Sequence, residues 1–236
     1  MIRRDPAMAA EVLRLANSAM VGLRYEVMSI MHGISILGTS RLQSLVLTVG
    51  MRDFFQGGGS VALRYCWRHH LATALLAEDL AEPCAIERAE AYTAGLLHDL
   101  GYLALISAFP VEAEGLGETW SSLDASAEQR IFGIDHRQAA VLLADAWGLP
   151  STLRAVLEEP GDESRMTVPR LIRIASDVAD RLGFAVLPGP ASEWDPEWLS
   201  MQLPPAAWTE ISPRLAGLCE SVPTKINLFE CEFGRQ

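Results

Sequence analysis

Lysine is almost missing from this chain: Lys225 is the only one, every other basic residue is arginine, and no basic run occurs. With 30 acidic residues against 19 basic ones and a net charge of −11, it lacks the clustered cations that a nucleic-acid backbone requires, so nucleic acid is not an expected partner. Paired cysteine motifs are missing too. Cys66, Cys84, Cys219 and Cys231 show no C-x-x-C spacing, and Met1-Ile-Arg-Arg leads straight into a helix-start signal without a secretory apolar segment. Free buried thiols in a reducing compartment are therefore expected, and with them a cytoplasmic location. No apolar stretch is long and uninterrupted enough to span a membrane, since the best run contains His98 and Asp99. A Gly-x-Ser-x-Gly elbow, a P-loop and a dinucleotide fingerprint are all absent; Gly57-Gly58-Gly59 has neither the lysine nor the flanking strand such loops need. Alternating strand patterns are scarce, which points to an all-α fold.

What is present is helical periodicity. With 50% hydrophobic residues in 236, the chain can bury a sizeable core in one large helical domain or two small ones. Asp5-Pro6 reads as a cap followed by proline at the first helical position, and the glycine triplet 57–59 is the best internal boundary. Beyond it the pattern predicts helices over about 61–80 and 87–98. A polar loop over about 114–126 follows, then a helix capped by Asp135 and stopped at Gly148, one opened by Pro150, and a strongly amphipathic one from Leu171 to Gly183. From residue 186 onward proline is frequent, and Trp194, Trp198 and Trp208 occur in a segment that reads as short helices. This tail either folds back to complete the core or offers tryptophan anchors to a partner.

The stretch that carries chemistry is Tyr92-Thr-Ala-Gly-Leu-Leu-His-Asp-Leu-Gly101, which places adjacent His98 and Asp99 at the end of an apolar helical run. A charged pair there is costly unless something satisfies it. Imidazole beside carboxylate can hold a divalent metal, which in turn can activate water against a phosphate ester. The structural alternative is that Asp99 caps a helix and His98 hydrogen-bonds to it. His69 shares a helical stripe with Thr73, Leu76 and Leu80 and is expected to point inward, whereas His70 has no motif behind it.

In order along the chain, Asp5-Pro6, Leu15-Ala-Asn-Ser18, Ile36-Leu37-Gly38, Trp67-Arg-His69, Gly95-Leu-Leu-His98-Asp99-Leu-Gly101, Gly133-Ile-Asp-His136 and Trp147-Gly-Leu-Pro150 resemble the HDOD family, the HD-related output domains of bacterial signalling. The likeness runs from about residue 2 to residue 183. It implies a helical first half at 1–56, expected to be truncated at its start, an HD-like helical bundle at 61–185 packed on it, and a Pro- and Trp-rich extension at 186–236. The resemblance also implies kinship with HD and HD-GYP metal-dependent phosphohydrolases, whose ligand positions would fall on His69, His98, Asp99 and His136. Two later positions depart: Glu158-Glu159 stands where those enzymes have a His-His pair, and Ser176 where they have an aspartate. Glu158 is a chemically plausible oxygen ligand, although Arg154 one turn earlier offers it a simpler partner. Asp177 does not rescue the second position, because it shares a helix face with Arg173 and Arg181.

Two functional expectations follow. One is a non-catalytic signalling module that binds signalling proteins or a small regulatory ligand, with no metal or with a degenerate site. The other is an HD-type phosphohydrolase that uses iron, manganese or zinc on His69, His98, Asp99, His136 and Glu158. The loss of two ligand positions favours the first.

Overall fold

Ser60 accepts a hydrogen bond from the Leu63 amide at 3.4 Å and so starts helix α1, Val61–Ala81, which is buried along most of its length. The computed structural model describes residues 60–157, 165–187 and 193–233, together with Met28, Ser29, Ser35 and Gly38. The expected opening helices, Gly57-Gly58-Gly59 and Glu158-Glu159 lie outside the described residues. The chain divides into two compact units, Phe55–Val222 and Met1–Phe54 with Pro223–Gln236; His69, His98 and Asp99 belong to the first.

After α1 come α2 (Arg88–Leu97), α3 (Leu100–Ala108), α4 (Pro110–Leu116), α5 (Ala125–Phe132), α6 (His136–Trp147), α7 (Ser151–Leu157), α8 (Val168–Arg181), α9 (Pro196–Gln202), α10 (Pro205–Ile211) and α11 (Leu215–Phe233). No strand occurs among the described residues, and the fold is all-α. The starts follow the sequence signals closely. Asp124 accepts from the Ala127 amide, Asp135 from the Gln138 amide and Thr167 from the Arg170 amide, each satisfying a donor the first turn would otherwise leave unpaired. Gly148, at φ 61°, takes the left-handed turn that ends α6.

The core is built around α1, which packs against both α2 and α8. Contact with α2 is close because Gly95 has no side chain: a Cβ there would lie 2.8 Å from the Ala74 Cα. Helix α8 turns Leu171, Ile172, Ile174, Ala175, Val178 and Ala179 inward, the one-sided pattern that its period predicted.

The expected polar loop at 114–126 is different. Its first residues finish α4, a 3₁₀ segment follows over Gly117–Ser122, and α5 begins at Ala125. Trp120 is the reason: it is 1% exposed, and its indole N–H donates to Glu128 at 3.1 Å. A single large aromatic anchors a stretch whose average composition reads as loop. The segment 193–222 also packs into this unit. Leu199, Ala207 and Ile211 are buried, Arg170 donates to the Gln202 carbonyl at 3.2 Å, and the Arg181 guanidinium lies 4.3 Å from the centre of the Trp198 ring. These residues complete the core, and Trp194, Trp198 and Trp208 are each half-buried. No single described helix is long and apolar enough to cross a membrane.

Candidate metal centre and cleft

His69 comes from α1, His98 from the end of α2, and Asp99 from the first position before α3. Their ligand atoms converge. His69 Nε2 lies 3.1 Å from His98 Nε2 and 3.5 Å from Asp99 Oδ2, and His98 Nε2 lies 3.4 Å from Asp99 Oδ2. Metal–nitrogen and metal–oxygen bonds of ~2.0–2.2 Å, at angles of about 90–109°, would put neighbouring ligand atoms about 3.0–3.4 Å apart. The triangle fits one divalent ion, and no other group of three or more such residues converges this way among the described residues. Asp99 stands at the N-cap position of α3 yet makes no capping hydrogen bond; its carboxylate serves the histidines instead.

The second ring nitrogens are held from behind. His98 Nδ1–H donates to the Gly95 carbonyl at 2.8 Å, and His69 Nδ1–H donates to the Phe184 carbonyl at 2.6 Å. Such bonds fix the tautomer and aim both Nε2 atoms at the shared centre. Asp180 Oδ1 sits 3.2 Å from the same His69 Nδ1. One proton cannot fully serve both acceptors, so Asp180 contributes mainly negative charge. Burial favours a neutral His69, but Asp180 and Asp99 outweigh it and raise its pKa to about 10. Burial holds the His98 pKa down despite Asp99. Asp99 is pushed up by burial but pulled further down by His98 and His69, ending well below the ordinary carboxylate range. A proton on His69 Nε2 thus occupies the place an ion would take.

Ser176 on α8 completes the rim, its hydroxyl 3.3 Å from His69 Nε2. Asp177 stays outside the triangle, and its carboxyl is raised by burial and by Asp180 against the lowering pull of Arg181 and Arg173. His70 is fully buried behind the site, with Nε2 3.5 Å from the Cys66 sulfur and its ring 5.4 Å from that of His98. Burial lowers its pKa well below the usual value. Glu158 lies outside the described residues.

His136 is not part of the triangle. It lines the same cleft as His98, Asp99 and Ser176, but its Nδ1 faces Glu128 Oε2 at 2.6 Å, and its ring stacks on Tyr102 at 4.5 Å and 8°. Glu128, only 1% exposed, also accepts from the His136 amide at 3.0 Å. Burial raises the Glu128 pKa, yet the bonds from His136 and Trp120 outweigh it and leave it below the ordinary 4.5. The stabilisation it gives is therefore full above that value and lost as pH falls through the depressed one. We expect Glu128→Gln to cost about 2 kcal/mol at neutral pH, the order of a hydrogen bond to a charged group, and to flatten the acid limb of a melting-temperature profile. An unchanged acid limb would show that Glu128 does not carry it.

Neither Glu128 nor Asp180 was singled out from sequence. Asp180 could have been: it lies four residues after Ser176 and so on the same helix face. Glu128 stands eight residues before His136 in a polar run, with nothing local to mark it.

Comparison with known proteins agrees with this architecture. The HDOD domain family model matches residues 1–160. A Treponema pallidum (strain Nichols) protein of uncharacterised role is 26% identical over 155 residues, covering 64% of this chain and 30% of that protein, so the chain spans under a third of that relative's length. Among solved structures, an HDOD domain protein of unknown function from Geobacter sulfurreducens superposes with a TM-score of 0.70 at 20% identity, over 94% of this chain and 83% of that one. A protein from Marinobacter aquaeolei VT8, provisionally described as acting in signal transduction, gives 0.69 at 22% identity, over 96% and 53%. One from Shewanella amazonensis SB2B, provisionally described as a phosphohydrolase, gives 0.65 at 24% identity, over 98% and 83%. At these identities the structures speak for the fold alone. With residues 1–160 of 236 matched by the family model, the chain belongs to the HDOD domain family.

Proposed function

We propose that this domain is a non-catalytic signalling module whose HD-type cleft binds a small regulatory ligand, or transmits a state to a protein partner, rather than turning over a phosphate ester. The observation that carries the reading is Ser176: its hydroxyl lies 3.3 Å from His69 Nε2, at the edge of the ligand triangle. The resemblance to HD phosphohydrolases puts a carboxylate at that position. A neutral hydroxyl cannot offset a dication's charge, and supporting hydrogen bonds do not replace a missing anionic ligand.

The second reading is a metal-dependent phosphohydrolase with an altered ligand set, and the fit of the triangle favours it. His69, His98 and Asp99 would hold the ion, and an iron, manganese or zinc ion there would supply Lewis acidity toward an oxygen ligand. Elemental analysis of protein purified without chelator, beside a His98→Ala variant, measures retention of the ion. Activity is a separate question. We expect no turnover of cyclic dinucleotides or of bis(p-nitrophenyl) phosphate above a chelated control, with manganese or iron added. Metal-dependent turnover abolished by Asp99→Ala would overturn the non-catalytic reading and establish the second.

A further inference from the structure

Helix α8 brings two polar side chains to His69 from successive turns. Ser176 places its hydroxyl 3.3 Å from Nε2, and Asp180, four residues later, places Oδ1 3.2 Å from Nδ1. We propose that Asp180, acting through His69 as a positioning residue, lets the triangle retain a dication: from behind the ring it supplies the negative charge that Ser176 does not supply in front. The inference rests on the triangle as a metal site and is independent of whether the cleft turns over a phosphate ester.

The state of Asp180 Oδ1 is the first argument. The atom is buried and makes no hydrogen bond, although the side chain as a whole is 42% exposed. A bare carboxylate oxygen turned inward is costly unless positive charge lies beside it. The group beside it is His69, itself 1% exposed, so positive charge carried by that ring or placed at its Nε2 is what Oδ1 offsets.

The division of labour around the ring is the second. The Phe184 carbonyl stands 2.6 Å from Nδ1 and takes its proton, which already fixes the tautomer and aims Nε2 at His98 and Asp99. Asp180 is not needed for that aim; what it adds is charge. Exchange of a proton on Nε2 for a dication leaves the triangle one charge more positive, and a carboxylate behind the ring favours that exchange. Charge and coordination are separate requirements. Asp180 meets the first, while the position held by Ser176 stays neutral.

Zinc and manganese titrations of the metal-stripped full chain, in competition with a chelator of known affinity, test this. Asp180→Asn should weaken both ions by about tenfold, the low end of the loss when a ligating histidine is deprived of its outer carboxylate, because the Phe184 carbonyl still holds the ring. Asp177→Asn removes a carboxylate from the same helix outside the triangle and should leave affinity unchanged. Ser176→Asp added to Asp180→Asn should restore at least wild-type affinity, since the charge then returns as a ligand; a packing defect at 180 would not be mended from 176. If melts in chelator show that Asp180→Asn does not fold, Asp180→Ser carries the same comparison. Wild-type affinity in the Asp180 variant, an equal loss in Asp177→Asn, or a double variant no tighter than Asp180→Asn would each overturn the role of Asp180 while the metal site stands. A wild-type chain that takes up neither ion would overturn the metal site and the role of Asp180 together, leaving the non-catalytic reading in place.

Discussion

Gly101→Ala will lower the stability of this domain by about 3 kcal/mol or more, at the upper end of what overpacking costs. A Cβ at Gly101 would lie 1.8 Å from the His136 carbonyl oxygen and 2.6 Å from its carbon. Both are backbone atoms in the first turn of α6, so no side chain can rotate away to make room. The two helices must separate, and α3 and α6 are closely packed through small buried residues on α6: Ala139, Ala140 and Ala144. For a domain of this size the loss corresponds to a fall in Tm of roughly 6–12 °C. His136 must move with its backbone, which loosens the bonds to Glu128 and widens the cleft beside Asp99. Gly115→Ala is the control: its added Cβ meets nothing within 4 Å, and in an exposed helical position alanine gains up to ~1 kcal/mol over glycine. Thermal melts that show equal stability for the two variants would mean that α3 and α6 are not pressed together at Gly101.

Gly101 also shows how much of the fold the sequence carried. In the sequence it marks the end of the His98-Asp99 motif and nothing more. In the structure it lies inside α3 and its role is close approach, which no local pattern announces because the atom that forbids a side chain belongs to a residue 35 positions away. Helices marked by caps and period were read nearly to the residue: Asp135 and Gly148 bound α6, and the stripe from Leu171 to Leu182 became α8. Trp120 was misread because helix and loop assignments average over neighbours, whereas burial of one indole with a buried carboxylate partner is a tertiary event.

At the candidate site the same division holds. His98 and Asp99 could be named because a polar pair at the end of an apolar run is an anomaly that must be satisfied somewhere. The inward direction of His69 followed from its stripe on α1. The backing carbonyls of Phe184 and Gly95 could not be foreseen, since any residue offers a carbonyl. His136 is placed differently. Motif order places it among ligands; its Nδ1 faces Glu128 and its ring stacks on Tyr102, and it lines the cleft beside the triangle. Asp180 supplies the negative charge behind His69, and Asp177, one residue from Ser176, stays outside the triangle as its pairing with Arg173 and Arg181 predicts.

Ser176→Asp will tighten manganese or zinc binding by about two orders of magnitude, because the number of anionic ligands sets affinity for a dication over decades. The serine hydroxyl is already 3.3 Å from His69 Nε2, so a carboxylate grown from the same half-buried position reaches the triangle without moving α8. The set would change from two imidazoles and one carboxylate to two of each. In the metal-free protein the substitution works against stability: the new carboxylate, Asp99 and Asp180 would crowd the single positive charge that His69 holds. Binding to the folded state alone then raises stability in proportion to ligand excess over Kd. The variant should therefore melt below wild type in chelator and gain more on adding metal. Ser176→Asn, of similar size but neutral, should show neither effect. Competition against a chelator of known affinity gives the binding change, and melts with and without metal give the linkage. If Ser176→Asp and Ser176→Asn bind metal equally, position 176 does not face the ion.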